Sequence, residues 1–323
     1  MTKILVTGNS VRPELLQPLI DAGHEVATPP GVLSEEELRD SLSGASAYLF
    51  GGDEFASGPA VADNSTLKHV AFLGVGYESF MDAPAITGAG ILITNTPGTL
   101  SNSVAEFTVM HLLNATRKFI PYAEAFAQGL SGNEEKQHDL ADMHVGIVGL
   151  GGIGIRIAEI LRVAFGTKIS YYSRTRKPDA EQSLGLQYLT LSDLASVVDA
   201  LIIMTPGNDK TRHLINRDVL AGVRPGLLLI NTARESVVVP DALLDALRNG
   251  WVGYAGFDGF YDDDTPALAD LKAFIPERLT VTGHIASLTH EARDGMAIKA
   301  VRSILNILNT GNDQYVVNPA PGS

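Results

Sequence analysis

One stretch of ten residues decides the fold: Val145-Gly146-Ile147-Val148-Gly149-Leu150-Gly151-Gly152-Ile153-Gly154. Its first four residues are apolar apart from one glycine and predict a buried strand. Its last six have the spacing G-x-G-x-x-G, and residues 153–164 then carry apolar side chains at helical intervals. A strand, a glycine turn and a helix in this order predict a βαβ unit whose turn binds the pyrophosphate of a dinucleotide.

The three spaced glycines have separate tasks in such a turn. Gly149 permits the tight turn, Gly151 lets the backbone approach the phosphates, and Gly154 lets helix and strand pack closely. The unpaired N–H groups of the helix N-terminus favour an anion there. The alternative is a glycine turn that serves packing only. The predicted dinucleotide contacts are Gly149, Leu150, Gly151, Gly152, Ile153 and Gly154.

Apolar strand-like runs alternate with amphipathic helical segments on both sides of this turn. Runs at 4–6, 47–50 and 70–73 precede it, and runs at 169–172 and 227–230 follow it. Such alternation favours parallel strand pairing and an α/β layer fold. A chain of 323 residues is long enough for two domains of this kind.

The composition excludes several classes of protein. Hydrophobic residues make up 45% of the chain and charged residues 19%, which is ordinary for a globular protein and excludes a disordered one. The net charge of −13 argues against binding to nucleic acid or to a membrane surface. The chain has no cysteine, so disulfides and thiolate metal sites are excluded, and no other metal site is expected. Since no apolar run approaches the length of a membrane span, we expect a soluble cytoplasmic protein.

The strand after the glycine turn ends in a basic segment. Sites for NAD usually place Asp or Glu there, to bind the ribose 2′-hydroxyl. This chain has Ser173-Arg174-Thr175-Arg176-Lys177, whose guanidinium and hydroxyl groups suit a 2′-phosphate. We therefore predict NADP as the cofactor, bound by Ser173, Arg174, Thr175 and Arg176. NAD is the alternative, and the segment is then a solvated basic turn.

Polar residues follow three later strand-like runs. They are Asn231-Thr232-Ala233-Arg234, Asp258 with the acidic triplet 262–264, and Gly283-His284. In an open parallel sheet, ligands bind outside the carboxyl ends of the strands. We therefore expect an arginine, a carboxylate and a histidine to converge at one edge of the sheet.

The chain resembles the D-isomer-specific 2-hydroxyacid dehydrogenase family over nearly its whole length. Besides the glycine turn, the resemblance rests on Gly74-Val75-Gly76-Tyr77, Ile93-Thr94-Asn95-Thr96-Pro97-Gly98, Asn231-Thr232-Ala233-Arg234 and His284-Ile285-Ala286-Ser287. These motifs occur in the family's order. The basic segment at 173–176 is similar to that of the branch that reduces glyoxylate and hydroxypyruvate with NADP.

The resemblance implies two Rossmann-like domains with parallel sheets. A substrate domain of the formate/glycerate dehydrogenase type would span residues 1–100 and 288–323, and an NAD(P)-binding domain would span residues 101–287. The active site would lie in the cleft between them. The resemblance also implies a homodimer, with the helix after Ser101 as the expected contact.

The resemblance further implies three catalytic residues. Arg234 would bind the substrate carboxylate and polarise the 2-keto oxygen, because a guanidinium fork suits planar oxygens. His284 would donate a proton to that oxygen, because imidazole titrates near neutral pH. A carboxylate paired with the histidine would raise its pKa. The family usually has Glu there; counting along the acidic triplet gives Asp263, and its two neighbours are the alternatives.

Other contacts are implied in the same way. The substrate would also touch Gly51, Gly52, Val75 and Gly76. The remaining cofactor contacts would be Thr205, Pro206, Thr211, Thr232, Ala233, Asp258 and Ala286. The chain departs from the family at Glu235, where glycine is common. This acid would either depress activity or point outward.

These observations lead to one hypothesis with two alternatives. The chain is expected to be an NADPH-dependent reductase that converts small 2-keto acids, of the glyoxylate and hydroxypyruvate type, to D-2-hydroxy acids. The first alternative is an NAD-dependent 2-hydroxyacid dehydrogenase with a bulkier substrate. The second is a non-catalytic, NAD(P)-sensing protein like the family's corepressors.

Overall fold

A computed structural model describes residues 2–8, 11–130 and 136–318 of the chain. The chain divides into two compact units: unit 1 comprises Met1–Leu100 and Leu288–Ser323, and unit 2 comprises Ser101–Ser287. Parts of the predicted domain ranges lie outside the described residues, namely 1, 9–10, 131–135 and 319–323. Within the described chain, no helix combines the length and the apolar character that crossing a membrane requires.

The described residues form twelve strands and thirteen α-helices. The strands are β1 (Lys3–Val6), β2 (Glu25–Ala27), β3 (Ala45–Phe50), β4 (His69–Phe72), β5 (Leu92–Thr94), β6 (His144–Val148), β7 (Lys168–Tyr172), β8 (Gln187–Tyr188), β9 (Ala200–Ile203), β10 (Leu227–Asn231), β11 (Val252–Asp258) and β12 (Leu279–Thr282). The helices are α1 (Gln17–Asp21), α2 (Glu35–Leu42), α3 (Gly58–Val61), α4 (Ala83–Gly88), α5 (Ser101–Arg117), α6 (Phe119–Ala127), α7 (Gly152–Phe165), α8 (Pro178–Leu184), α9 (Leu191–Val197), α10 (Arg217–Ala221), α11 (Pro240–Arg248), α12 (Leu268–Lys272) and α13 (His290–Thr310). Short 3-10 turns lie at Pro13–Leu16, Tyr77–Ser79, Leu140–Asp142 and Glu235–Val237.

Unit 1 is built on a parallel sheet with the strand order β2-β1-β3-β4-β5. The order reverses between β1 and β3, and in open α/β sheets this is the point where ligands bind. The two turns that meet there pack without room for a side chain, since a Cβ on Gly8 would overlap the carbonyl group of Gly51. Leu5, Tyr48 and Phe72 belong to the apolar core of this unit.

Unit 2 is built on a longer parallel sheet with the order β12-β11-β10-β9-β6-β7-β8. Successive residues of β9 face opposite sides: Ala200 and Ile202 join one apolar core, and Leu201 and Ile203 join the other. Both faces are therefore buried, which explains the nearly continuous apolar runs in the sequence. The predicted α/β fold with two parallel, Rossmann-like sheets is confirmed.

Local signals explain where several helices begin. Ser34 caps α2: its hydroxyl accepts the N–H of Glu37 at 3.3 Å, and the Glu37 carboxylate accepts the N–H of Ser34 at 2.8 Å. The last helix, α13, begins at His290, because the hydroxyl of Thr289 caps it by accepting the N–H of Ala292. The edge strands β2 and β8 were not predicted, since two or three residues show no periodicity.

His69 is a fully buried histidine on β4 of unit 1. Its Nε2 lies 2.8 Å from Oγ1 of Thr94 on the neighbouring strand. Burial lowers the pKa of His69 to about 3, although the charge of Asp313 opposes the shift. The ring is therefore neutral in the folded protein at pH values where it is already protonated in the unfolded chain, whose histidines titrate near pH 6.5.

Acid should destabilise the protein through this histidine. Between about pH 6.5 and pH 3 the unfolded state binds a proton that the folded state does not, so the free energy of unfolding falls by up to about 1.4 kcal/mol per pH unit. His69→Asn keeps a donor for Thr94 and removes the titration. We expect urea unfolding of this variant to depend less steeply on pH across that window. The exposed His290 provides the control: His290→Asn should keep the wild-type slope. Equal slopes for wild type and His69→Asn would contradict this account.

Candidate active site

Two glycines of the turn after β6 are required by packing. Gly149 has a φ of +102°, a conformation that side chains rarely adopt, and a Cβ there would lie 2.5 Å from the carbonyl oxygen of Met204. A Cβ on Gly154 would overlap the carbonyl oxygen of Gly149. The turn therefore keeps β6, β9 and the first turn of α7 in close contact. It lies where the strand order of unit 2 reverses.

The middle glycine of the turn is not required by packing. Gly151 is the N-cap of α7, with a φ of −86° that any residue adopts, and no atom of the described residues lies within 4 Å of the place where its Cβ would be. Because glycine has no side chain to cap the helix, the first N–H groups of α7 face this open space. An open helix N-terminus with room for close approach fits the pyrophosphate of a dinucleotide.

The basic segment after β7 is divided between two roles. The guanidinium of Arg176 forms a bidentate pair with the Glu181 carboxylate, at 3.0 and 2.5 Å, and lies 5.4 Å from the ring centre of Tyr188. The hydroxyl of Ser173 donates to the carbonyl of Thr175 at 2.6 Å. By contrast, the exposed Arg174 forms no ion pair or side-chain hydrogen bond within the described chain. Of the two arginines in this segment, Arg174 is thus the one that a ligand phosphate meets without competition from Glu181.

The loop after β9 is held by its own threonines. The hydroxyls of Thr205 and Thr211 both donate to the carbonyl of Pro206, and Thr211 also accepts the N–H of Asn208 at 3.0 Å. These predicted cofactor contacts thus use their hydroxyl groups to shape a compact loop. That loop stands next to the glycine turn at the carboxyl edge of the sheet, because β9 pairs with β6.

The backbone of the Arg234 loop is fixed by Asn231, the last residue of β10. The amide group of Asn231 donates to the carbonyl of Arg234 at 2.8 Å and accepts the N–H of Ala233 at 3.0 Å. Gly207 is needed beside this arginine, because a Cβ there would come within 2.6 Å of the Arg234 Cγ. Asn231 and Gly207 thus position the arginine, although sequence reasoning assigned neither of them a role.

Two further predicted cofactor residues in this loop have partners inside the protein. The Thr232 hydroxyl lies 2.6 Å from the hydroxyl of Thr108 on α5. The N–H of Ala233 is bound to Asn231, as described above. Contact of Thr232 and Ala233 with a dinucleotide therefore stays a prediction.

Asp258 is a buried carboxylate at the end of β11, with 3% of its surface exposed. It accepts the hydroxyl of Thr282 at 2.7 Å and the N–H groups of Ile285 and Ala286 at 2.8 Å each. We predicted Asp258 and Ala286 as cofactor contacts. In the structure both oxygens of Asp258 and the amide of Ala286 form hydrogen bonds that hold the loop that carries His284, and their contact with the cofactor stays a prediction.

His284 itself has a φ of +58° and is exposed. A left-handed backbone costs roughly 1–2 kcal/mol for a residue with a side chain. It persists here because the two N–H groups that follow are bound to Asp258. A strained, exposed histidine held by a buried carboxylate is typical of a functional position.

The acidic triplet at 262–264 lies on the surface. Asp263 has a side chain that is 96% exposed and pairs with Lys272 at 3.4 Å. Asp262 accepts the hydroxyl of Thr265 at 3.1 Å. Asp263 thus forms its ion pair with the last residue of α12. Its pairing with His284 stays a prediction, which this exposed position does not favour.

The predicted substrate residues of unit 1 follow β3 and β4. The loop that contains Val75 and Gly76 is pinned by the end of β5: Asn95 donates to the carbonyl of Val75 at 2.9 Å, and the N–H of Thr96 donates to the carbonyl of Gly74 at 2.8 Å. These bonds explain why the two short motifs of unit 1 belong together.

A buried carboxylate that sequence reasoning missed fixes the turn after β3. Glu54 is 4% exposed, and one of its oxygens accepts the hydroxyl of Tyr48 at 2.6 Å. Burial and the charge of Glu54 raise the pKa of Tyr48, whose hydroxyl also lies 3.0 Å from that of Thr7. A Cβ on Gly52 would overlap the Glu54 carboxylate. The pair Gly51-Gly52 is therefore shaped by an acid buried beneath it.

Comparison with known proteins identifies the family. The sequence pattern described as "D-isomer specific 2-hydroxyacid dehydrogenase, NAD binding domain" matches residues 109–286. This chain belongs to that family.

Named relatives of this dehydrogenase agree with the match. A glyoxylate reductase of Thermococcus litoralis is 36% identical over 250 residues, covering 74% of this chain and 73% of the relative. A glyoxylate/hydroxypyruvate reductase B of Erwinia tasmaniensis is 34% identical over 78% of this chain and 79% of its own length. The crystal structure of the TT0316 protein from Thermus thermophilus superposes with a TM-score of 0.85 at 30% identity, covering 98% of this chain and 100% of that one.

The resemblance inferred from the motifs is thereby confirmed. The protein is an NAD(P)-dependent oxidoreductase of the D-2-hydroxyacid dehydrogenase family, and it takes a nicotinamide cofactor. The turn after β6 fits that cofactor, because Gly151 leaves an open approach that packing does not explain.

Two alanine substitutions in the dehydrogenase should separate packing from cofactor binding. Gly154→Ala places a methyl group against the carbonyl of Gly149, so we expect it to cost about 1–3 kcal/mol of stability. Gly151→Ala meets no protein atom, so we expect a near-native melting temperature but roughly 10-fold weaker cofactor binding, since backbone approach is blocked. Thermal unfolding and fluorescence titration with NADPH and NADH measure both effects. Unchanged cofactor affinity in Gly151→Ala would exclude this turn as the pyrophosphate site.

Proposed function

We propose that this protein uses NADPH to reduce small 2-keto acids, of the glyoxylate and hydroxypyruvate type, to D-2-hydroxy acids. One observation carries the proposal: the loops of Arg234 and His284 follow β10 and β12, and the buried Asp258 at the end of the intervening β11 holds the histidine loop. The names of the two relatives described above support the substrate class.

The proposed chemistry divides between the arginine and the histidine. Arg234 binds the substrate carboxylate and polarises the 2-keto oxygen through charge-assisted hydrogen bonds. His284 donates a proton to that oxygen as it becomes a hydroxyl. When bound, the nicotinamide would supply the hydride to C2. Asn231 fixes the backbone at Arg234 and Asp258 fixes the backbone that follows His284, so the loops that carry the reacting groups need little reorganisation.

The remaining predicted contacts are part of the same proposal. Unit 2 is proposed as the dinucleotide-binding domain and unit 1 as the substrate domain. In unit 1, Gly51, Gly52, Val75 and Gly76 are proposed to contact the substrate. In unit 2, the glycine turn and the loop at 205–211 are proposed to hold the cofactor.

The preference for NADPH is proposed on the charges after β7. Arg176 is engaged by Glu181, whereas Arg174 forms no ion pair within the described residues and is exposed. A free guanidinium favours a ribose 2′-phosphate, and no carboxylate stands among residues 173–177 to repel it.

Removing one arginine should change the choice of cofactor. We expect Arg174→Ala to raise the KM for NADPH by roughly 10-fold or more and to leave the KM for NADH nearly constant, since only NADPH carries the 2′-phosphate. Arg176→Ala should have the smaller effect of the two, because its guanidinium is already paired with Glu181. Steady-state kinetics with both cofactors measure this. The 2′-phosphate proposal fails if Arg174→Ala keeps the wild-type ratio of the two KM values.

The reaction itself is tested by a panel of keto acids. We expect the wild type to reduce glyoxylate and hydroxypyruvate faster than branched or phosphorylated keto acids, and chiral analysis should show D-glycerate from hydroxypyruvate. His284→Ala should lower kcat by about 10²–10⁴-fold, the usual contribution of a general acid. Arg234→Ala should raise the KM for the keto acid and also lower kcat, because the guanidinium is proposed both to bind the carboxylate and to polarise the 2-keto oxygen. Cofactor binding without turnover on any keto acid would favour the non-catalytic alternative, and wild-type turnover by His284→Ala would reject the proposed acid.

We also propose that the protein works as a cytoplasmic homodimer. Three apolar side chains at and just after α6 are left on the surface: Phe119, Phe126 and Leu130 are 69%, 79% and 62% exposed. An uncovered apolar patch on a helix is typical of a protein interface. A second copy of the chain is the occupant that the family resemblance implies.

Light scattering tests the dimer. We expect the wild type to have the mass of two chains, and Phe126→Glu to shift the protein toward a single chain, because burying an unpaired carboxylate in an interface is costly. Val163 on α7 is 85% exposed and serves as the control, so Val163→Glu should remain dimeric. A monomeric wild type would refute the proposal.

A further inference from the structure

The family resemblance implies that a carboxylate is paired with His284, the proposed acid. A carboxylate beside an imidazole favours its protonated form and fixes the orientation of the ring. The predicted source of that carboxylate is engaged elsewhere, since Asp263 pairs with Lys272 and is 96% exposed. Water screens so exposed a charge from a group outside its own ion pair.

Glu235 stands close to His284. Both residues border the open side of Gly259, which has a φ of +91°. The point where a Cβ of Gly259 would lie is 4.0 Å from Oε2 of Glu235 and 4.0 Å from Cβ of His284. The two atoms are therefore at most twice that distance apart, and the imidazole extends beyond its Cβ. Apart from the neighbours of Gly259 in the chain, no other described atom lies within 4 Å of that point.

The position of Glu235 is set by the turn that follows the catalytic arginine. Glu235 opens the 3-10 turn Glu235–Val237, for which Arg234 is the N-cap. The carbonyl of Glu235 accepts the N–H of Val238 at 2.9 Å, and the carbonyl of Ser236 accepts the N–H of His213 at 2.9 Å. The side chain is half-buried, unlike the exposed side chains of the acidic triplet. Its carboxylate is thus both better placed and less screened than theirs.

The charge of Glu235 acts within the loop that follows β11. Burial raises the pKa of Tyr261 on that loop, and the charge of Glu235 raises it further. Glu235 also lines a cavity of about 170 Å³, together with Arg212, His213, Tyr261 and Asp262 among others. The carboxylate therefore stands between this cavity and the side of Gly259 that His284 borders.

We propose that Glu235 is the positioning residue of His284: its carboxylate accepts a hydrogen bond from the imidazole and holds the ring in the orientation for proton donation. Rotation of the Glu235 and His284 side chains between staggered conformers brings the carboxylate and the imidazole together across the open side of Gly259. The proposal deepens the proposed function, because it rests on His284 as the proton donor. Glu235 then neither points outward nor depresses activity, which were the two possibilities that the sequence left open.

The pairing is tested first on the full-length protein without cofactor. NMR titration of the histidine rings, with the His284 signals assigned by comparison with His284→Gln, gives the pKa of His284 directly. We expect Glu235→Gln to lower this pKa by about one unit, because an opposite charge is lost. Glu235→Asp should lower it less. Glu277→Gln removes an exposed charge of unit 2 and should leave it unchanged.

Other charged and titratable groups that share the cavity of Glu235, or that belong to the neighbouring loops, stay the same in these variants. They are Arg212, His213, Arg234, Asp258, Tyr261 and Asp262. A difference in the His284 pKa between wild type and Glu235→Gln is therefore caused by the loss of the Glu235 charge. An unchanged His284 pKa in Glu235→Gln overturns the proposal, as does a drop seen only in Asp263→Asn.

Kinetics provide the second readout. We expect Glu235→Gln to lower kcat for keto-acid reduction by about 10- to 100-fold, as part of the general-acid contribution is lost. Since reduction needs the protonated imidazole, the rate falls as pH rises through the His284 pKa, and this fall should move to lower pH in Glu235→Gln. Glu235→Asp should recover part of kcat, which a merely misfolded protein would not show.

The outcomes separate the two proposals. A wild type that reduces keto acids, together with a Glu235→Gln variant of unchanged kcat and pH profile, overturns the role of Glu235 alone. A wild type that reduces no keto acid refutes the proposed function, and the NMR titration still decides whether Glu235 and His284 are paired.

Discussion

The loop of unit 2 that carries His284, the proposed proton donor, depends on the buried carboxylate of Asp258. Its two oxygens accept one hydroxyl and two backbone N–H groups from the segment at 282–286, and hydrogen bonds to a charged group contribute about 1.5–3 kcal/mol each. These bonds tie β11 to the loop after β12 and offset the cost of the left-handed backbone at His284.

A second constraint is the absence of side chains at particular glycines. Gly8, Gly52, Gly149 and Gly154 each stand where a Cβ would collide with or closely approach another group of the same unit, so packing alone explains them. A Cβ on Gly151 would meet no atom of the described residues, and glycine at this position agrees with the proposed approach of a cofactor to the backbone. In both units the closely packed turns stand at the point where the strand order reverses, which is where open parallel sheets bind ligands.

Much of the fold was predictable because it depends on local periodicity. Buried parallel strands read as short apolar runs, and the glycine turn has a fixed spacing, so the α/β class and the dinucleotide turn followed from the chain itself. The partners of polar side chains were not predictable. Arg174 and Arg176 lie in the same short basic segment, yet Glu181 forms an ion pair with Arg176 only. Likewise, the acid buried at Glu54 has no motif around it, and only its contact with Tyr48 reveals its role.

The sequence by itself determined the two parallel sheets and the position of the glycine turn, and it singled out the arginine and histidine that are proposed to react, because these are properties of residue type and spacing along the chain. Only the tertiary structure decided which carboxylate lies next to which group. Asp258, Glu235 and Asp263 are three acids within about thirty residues. Folding buries the first against the histidine loop, brings the second to the open side of Gly259 and leaves the third in water beside Lys272. The electrostatic effect of a carboxylate on another group depends on their distance and burial rather than on their order along the chain.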